Sequence, residues 1–302
     1  MAANLQALRP PPPQGPSEDS TARQALQRIA HDCAQEIQAQ EPRLRRSRSP
    51  EALHQIRVAL RRWRTALMVF GAASGVSQDR TKATLKWLAR ELNDARDLDV
   101  FAVALEPHRK GGKGSEALWD KLETARNDAY ARADEALQSD RLRRLLWRTA
   151  QAGRPGEDRS APARAVAAEA LQRRWRKLKT RGRKLGRLAP EARHKLRIEA
   201  KKVRYAVELC GDLFGHPHRR KRMGRALKRM QDGLGVLNDL AVGEAIALKL
   251  ARLSGEPEAA FAAGRLAGTR ECREEAQVLK AASGAYEDFR AVDRFWTGAL
   301  PA

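Results

Sequence analysis

Aromatic residues make up only 5% of this 302-residue chain. That leaves little material for a platform on which nucleic-acid bases could stack. Cysteine is scarcer still: Cys33, Cys210 and Cys272 stand singly, and no two form a CxxC pair. A scattered, odd set argues for reduced, mostly buried thiols in a cytoplasmic protein and against a disulfide framework. No run approaches the roughly 18 uncharged apolar residues of a membrane span. The first twenty residues lack an apolar stretch followed by a small-residue cleavage site, so a signal peptide is not expected. GxxxxGK[ST] occurs nowhere, so the loop HRKGGKG is no P-loop, and zinc-finger, RRM and helix-turn-helix signatures are missing as well.

Acidic residues are also short. There are 37 Asp and Glu against 59 Lys and Arg, a formal net charge of +22 and a sequence pI of about 10.8. Such a surplus attracts polyanions, and nucleic acid, an anionic membrane surface or inorganic polyphosphate would each answer it. Charge alone does not choose among them.

What the chain has in abundance is Ala, Leu, Arg, Lys and Glu, with no strand-like alternation, so the fold class is all-α. Residues 1–20, with Pro11 to Pro13, read as a disordered Pro-rich tail. Helices are expected from about Thr21 to Glu41, from Pro50, over Gln78 to Asn93 and Ala95 to Leu105, from Ser115 to Leu137 and from Arg141. Residues 152–162, rich in Gly, Pro and Ser, divide a first half (21–151) from a second (163–285). The second half repeats the plan: Ala163 to Leu185, Pro190 to Phe214, His218 to Leu234, Val236 to Leu253 and Glu258 to Ala282. Residues 286–302 read as a C-terminal tail. Short loops between antiparallel helices are the pattern of a helix bundle.

The halves are related by an internal repeat. PEALHQIRVALRRWRTALMVFG, from Pro50 to Gly71, returns as PEARHKLRIEAKKVRYAVELCG, from Pro190 to Gly211. Two copies of one structural unit follow from such a repeat. The recurring chemistry is cationic: His54, Arg57, Arg61 and Arg64 become His194, Arg197, Lys201 and Arg204. The spacing places each set on one stripe of a helix, beside the apolar seam Leu53, Ile56, Leu60, Trp63, Leu67 and Phe70. Two such stripes facing one another would enclose an anion, with Arg giving planar bidentate donors and Lys a point charge. His54 and His194 would donate to that anion; structural, metal-ligating and phosphoacceptor roles stay open for them. Asp97 and Asp239 recur in RDLDV and NDLAV. Because Ala241 replaces Asp99 in the second copy, a cap or an ion pair with a stripe arginine suits them better than catalysis. Lys86 and Lys228 hold equivalent places ahead of those motifs and join the candidates, with Lys82, Arg90, Lys221 and Arg225 behind them. Trp63, Trp87, Trp119, Trp147 and Trp175 read mostly as core residues.

Four blocks, HQIRVALRRWRTAL, LARELNDARDLDVF, HKLRIEAKKVRYAVEL and MQDGLGVLNDLAV, resemble the CHAD family, the conserved histidine α-helical domain, in order and across nearly all of Thr21 to Ala282. The resemblance implies two pseudo-symmetric four-helix bundles around a central basic cavity that binds inorganic polyphosphate. It implies a ligand-facing set of His54, Arg57, Arg61, Arg64, His194, Arg197, Lys201 and Arg204, with Lys202 and Tyr205 from the KKVRY block. Many such proteins carry a hydrolase domain marked by ExExK, which this chain lacks, so a non-catalytic binding module without cofactor or metal is expected. Residence on polyphosphate or polyhydroxyalkanoate granules is a further implication. The competing reading is a general nucleic-acid-binding basic protein. An enzyme acting on phosphoanhydrides would need a metal-binding carboxylate cluster that the sequence does not offer.

Overall fold

The computed structural model describes residues 15–75, 77–109, 113–152, 160–268 and 274–300. These form α-helices joined by turns and short 3-10 segments, with no β-strand among the described residues. The first half comprises α1 (Ala22–Ser47), α2 (Pro50–Phe70), α3 (Asp79–Leu105), α4 (Lys113–Gln138) and α5 (Asp140–Gln151). The second comprises α6 (Ala163–Gly182), α7 (Pro190–Cys210), α8 (Pro217–Ser254), α9 (Pro257–Gly268) and α10 (Glu274–Ala291). Packing runs in the same order in both: α1 on α2, α2 on α3, α3 on α4, then α6 on α7, α7 on α8, α8 on α9. The halves meet where α2 packs on α6 and α7 and where α4 packs on α9.

Helix α2 starts as its sequence dictates. Ser49 accepts from the Ala52 N–H, Pro50 needs no amide partner at N1, and Glu51 faces the positive end of the helix dipole. Its apolar seam is buried throughout, with Leu53, Ile56, Leu60, Trp63, Leu67 and Phe70 packed in the main core. That core takes in α1, α2, α5, α6, α7 and α10, the N-terminal parts of α3 and α8 and the C-terminal part of α4. A second, smaller core joins the C-terminal parts of α3 and α8 to α4 and α9 through Phe101, Leu105, Leu118, Leu122, Leu250 and Ala263.

Several boundaries differ from expectation. Helix α1 passes Pro42 and runs to Ser47, because buried Leu44 anchors its last turn; Arg48 then closes it in the left-handed region at φ 47°. The pairs of helices expected on either side of Asp94 and of Gly235 are single helices, α3 and α8. Asn and Gly lower helix propensity without blocking the ladder. In α8 the loss is offset by close packing: a Cβ at Gly233 would lie 3.1 Å from that of Ala282.

Neither end is a tail as far as it is described. Gly15 accepts from Arg28 (2.8 Å), Ser20 and Ala22 exchange backbone bonds with Ala163 and Ala161, and Ser20 is buried. The linker's last residues are thereby pinned to the start of α1. At the other end Tyr286, Phe289, Val292, Phe295 and Trp296 are buried. Trp296 donates to Gln172 (3.1 Å) and Tyr286 to the Lys179 carbonyl (2.6 Å). Tyr286 packs over Gly182 of α6 and Phe289 against Trp175, so the packed unit extends into the C-terminal segment. Trp63 and Trp175 are core residues as expected, whereas Trp147 is 66% exposed. Trp87 and Trp119 are half-buried, each under a guanidinium, Arg141 and Arg109.

Candidate anion site

The two cationic stripes lie on helices that touch, α2 and α7. They meet at Tyr205, whose ring is approached by Arg61 of α2, 4.3 Å from its centroid, and by Arg204 of α7, 4.9 Å away. Cation–π attraction to the same ring holds two like charges near each other. Arg204 also pairs with Glu208 one turn on (3.4 Å) and is 15% exposed. Arg64, its counterpart in the repeat, is exposed.

Arg57 is half-buried and reaches across to α3, donating to the Asn93 side chain (2.6 Å) and the Leu92 carbonyl (3.3 Å). Both partners are neutral. Burial lowers the affinity of this guanidinium for its proton, and Arg96 and Arg61 lower it further, against Asp97 and Tyr205. Arg197 has the matching position on α7. A Cβ at Gly235 of α8 would lie 3.6 Å from its guanidinium, and Gly235 aligns with Asn93 when RDLDV is laid on NDLAV. Each stripe arginine thus addresses the same place on the following helix.

His54 and His194 are exposed in the second turn of their helices. Partial burial holds the His54 imidazole below its ordinary value; Glu51 raises it, and Arg96, Arg61 and Arg57 depress it further. Arg61 and Arg96 thus act on both His54 and Arg57, which share one electrostatic neighbourhood. Lys201 is half-buried on the same helix as Arg197.

At the α2–α7 seam a cavity of about 200 Å³ is lined by Gly15, Val58, Arg61, Arg62, Thr65, Tyr205, Glu208, Leu209 and Asp212. It includes Arg61 and Tyr205 and lies toward the C-terminal ends of both helices, and His54, His194, Arg57 and Arg197 do not line it.

Two sequence candidates are engaged elsewhere, and a third is exposed. Lys202 donates to Glu199 (3.2 Å) rather than facing the stripe. Lys228 is exposed and bonded to Asp232 on its own helix (2.9 Å), and Lys86 is exposed on α3. Lys82 is likewise paired, with Asp79 (3.5 Å).

The acids serve structure. Buried Asp99 accepts from Arg126 (Nη2, 2.9 Å) and Tyr130 (2.8 Å), clamping α3 to α4, and this bond and burial push the Tyr130 phenol up. The charge of Asp97 opposes the lowering of the Arg57 value. The Asp239 side chain falls outside the described residues, as does Cys272. Cys33 and Cys210 are buried and free, and burial pushes the Cys33 thiol up to about 12. No three His, Cys, Asp or Glu side chains converge on a metal-sized site among the described residues, and no helix there is long and apolar enough to cross a membrane.

Sequence reading missed Asn93 and Arg96, although both stand in the LARELNDARDLDVF block, and it overlooked Glu199, visible as an acid between Arg197 and Lys201. Only the approach of α3 to α2 shows that the first two belong to the site.

A family model described as CHAD domain matches residues 28–248. Among solved structures, the CHAD domain from the plant Ricinus communis is similar over 93% of this chain and 97% of its own, with 26% identity and a TM-score of 0.75. PptA from Streptomyces chartreusis shares the fold, at 20% identity and a TM-score of 0.55, over 93% of this chain and 99% of its own. Comparison with curated proteins finds no match.

Proposed function

The chain belongs to the CHAD domain family, and on that premise we propose that it binds inorganic polyphosphate along the α2–α7 seam without turning it over. The observation that carries this reading is the meeting of Arg61 and Arg204 on Tyr205, which joins the two stripes into one cationic track. Around Arg57 the cations crowd one another and the hydrogen-bond partners of Arg57 itself are neutral, so a polyanion relieves repulsion as it binds. Counterions displaced from the phosphate chain supply much of the binding free energy, as they do for nucleic acids. His54, Arg57, Arg61, Arg64, His194, Arg197, Lys201 and Arg204 are the proposed contacts, with Asn93 orienting Arg57.

Binding without hydrolysis suits the acids nearby. Asp99 is committed to Arg126 and Tyr130, and Glu199 to four cations, which leaves neither as a base or metal ligand.

The test is a competition titration of labelled long-chain polyphosphate against duplex DNA at equal phosphate concentration. Polyphosphate is expected to withstand the DNA. The Arg57→Ala, Arg197→Ala double variant should bind at least about tenfold more weakly, at roughly 1.4 kcal/mol per factor of ten. Arg132→Ala, on exposed surface, should change little. If DNA competes phosphate for phosphate and the double variant binds normally, the protein is a general polycation for nucleic acid and the seam is not its site.

A further inference from the structure

Glu199 lies on the side of α7 opposite Arg197, turned toward α6, and is 2% exposed. Four cations converge on it. Arg174 reaches Oε2 (3.4 Å), while Lys177 (3.5 Å), Arg181 (3.4 Å) and Lys202 (3.2 Å) share Oε1. A fully committed charge-assisted bond is shorter, about 2.7–2.9 Å. One carboxylate neutralises one of the four charges, and the cations remain a quarter to almost a half exposed. Most of their N–H donors are left over.

Among the described residues the first half has no equivalent of this arrangement. Ala22, Leu26 and Ala30 of α1 correspond to Ala163, Ala167 and Leu171 of α6, all buried. In that register the first half has Cys33, Glu36 and Gln40 where the second has Arg174, Lys177 and Arg181, and Ala59 in place of Glu199. Arg62, the counterpart of Lys202, acts there on the Cys33 thiol, so the geometry is kept while the charges are not. Glu36 and Gln40 bond to each other instead.

We propose that Arg174, Lys177, Arg181 and Lys202, gathered by Glu199, form a second anion site on the α6–α7 face, for the oxyanions of a short inorganic phosphate chain. Glu199 is a positioning residue: it draws the cations to one point and leaves their surplus charge facing solvent. A footprint set by two oxygens of one carboxylate fits one or two phosphoryl groups and is too small to track a duplex. The site does not depend on what the α2–α7 seam binds.

The probe is inorganic tripolyphosphate, titrated calorimetrically into the full chain. The Lys177→Gln, Arg181→Gln variant is expected to bind it about tenfold or more weakly at one site. The Arg57→Ala, Arg197→Ala variant should keep that site, as should Arg132→Ala, Arg148→Ala, which removes equal charge elsewhere. A Lys177/Arg181 variant that titrates like the unaltered chain overturns the proposal, and so does an equal loss in the Arg132/Arg148 control. Retention of long-chain polyphosphate by the Lys177/Arg181 variant separates this site from the seam. A second readout uses the unaltered protein, in which tripolyphosphate should shield Lys177 and Lys202 from amine acylation and leave Lys228 reactive. Unchanged labelling of Lys177 and Lys202 is the contrary result.

Discussion

His54 shows how the site is tuned one side chain at a time. Its imidazole is held below its ordinary value by burial and by three arginines, Arg96, Arg61 and Arg57. Near neutral pH it is therefore mostly uncharged in the free protein. In the free protein its contribution to stability is complete above the ordinary imidazole value and is lost as pH falls through the depressed one, because the unfolded chain then holds more protons. A bound polyanion acts in the opposite sense and raises the value, so binding draws in a proton. Polyphosphate affinity should accordingly rise as pH falls from 7.5 to 5.5, by up to about tenfold per unit of pKa change. Titration calorimetry in two buffers of unlike ionisation enthalpy measures the uptake. His54→Ala should reduce it, and a proton count unchanged by that substitution would remove His54 from the site. Arg57 illustrates the same principle without titrating: Asn93 and a backbone carbonyl orient it and leave its charge available. From sequence the stripe was visible as spacing; which residues orient it was not, since Asn93 stands on another helix.

At the scale of elements, the repeat gives α2 and α7 the same 21-residue length and the same Pro start, while their neighbours diverge. The C-terminal segment shows why boundaries were harder to read than helices. Residues 286–300 carry aromatics whose purpose is evident only once they are seen to pack on α6. Gly182 is the tightest of these contacts, since a Cβ there would run into the Tyr286 ring, itself buried and bonded to the Lys179 carbonyl. Gly182→Ala should therefore destabilise by about 1–3 kcal/mol, although alanine is the better helix former. Thermal melting checks this, and Tyr286→Leu in the same chain should recover part of the loss. If Gly182→Ala melts higher than the parent, the contact is looser than described. The continuity of α3 and α8 teaches the converse: Asn and Gly signalled a break, and packing on both sides of the helix overrode them.

For the whole molecule, a net charge of +22 carries two distinct consequences. Diffuse charge attracts any polyanion, whereas the α2–α7 seam and the Glu199 cluster concentrate it at defined places. Salt separates the two. With the five arginines and the one lysine of the proposed contact set engaged, log affinity for polyphosphate should fall against log salt with a slope on the order of −4. The Arg57→Ala, Arg197→Ala variant should show a shallower slope by about 1 to 2. An unchanged slope in that variant would place the contacts elsewhere on the surface.

The amino-acid sequence by itself determined the helical class, the repeat, the buried seam of α2 and the two stripes, because periodicity along one helix is local information. Only tertiary structure decided what those stripes face. Arg61 and Arg204 at Tyr205, Asn93 under Arg57, and four cations around Glu199 each join residues on different helices, and their pairing depends on how the helices pack. It also decided which cations the seam can use: Lys202 turns to Glu199 and Lys228 to Asp232 on its own helix, although both looked equivalent to the rest in sequence. Spacing places a charge on a face, whereas the field that charge feels depends on every neighbour the fold brings within a few ångströms.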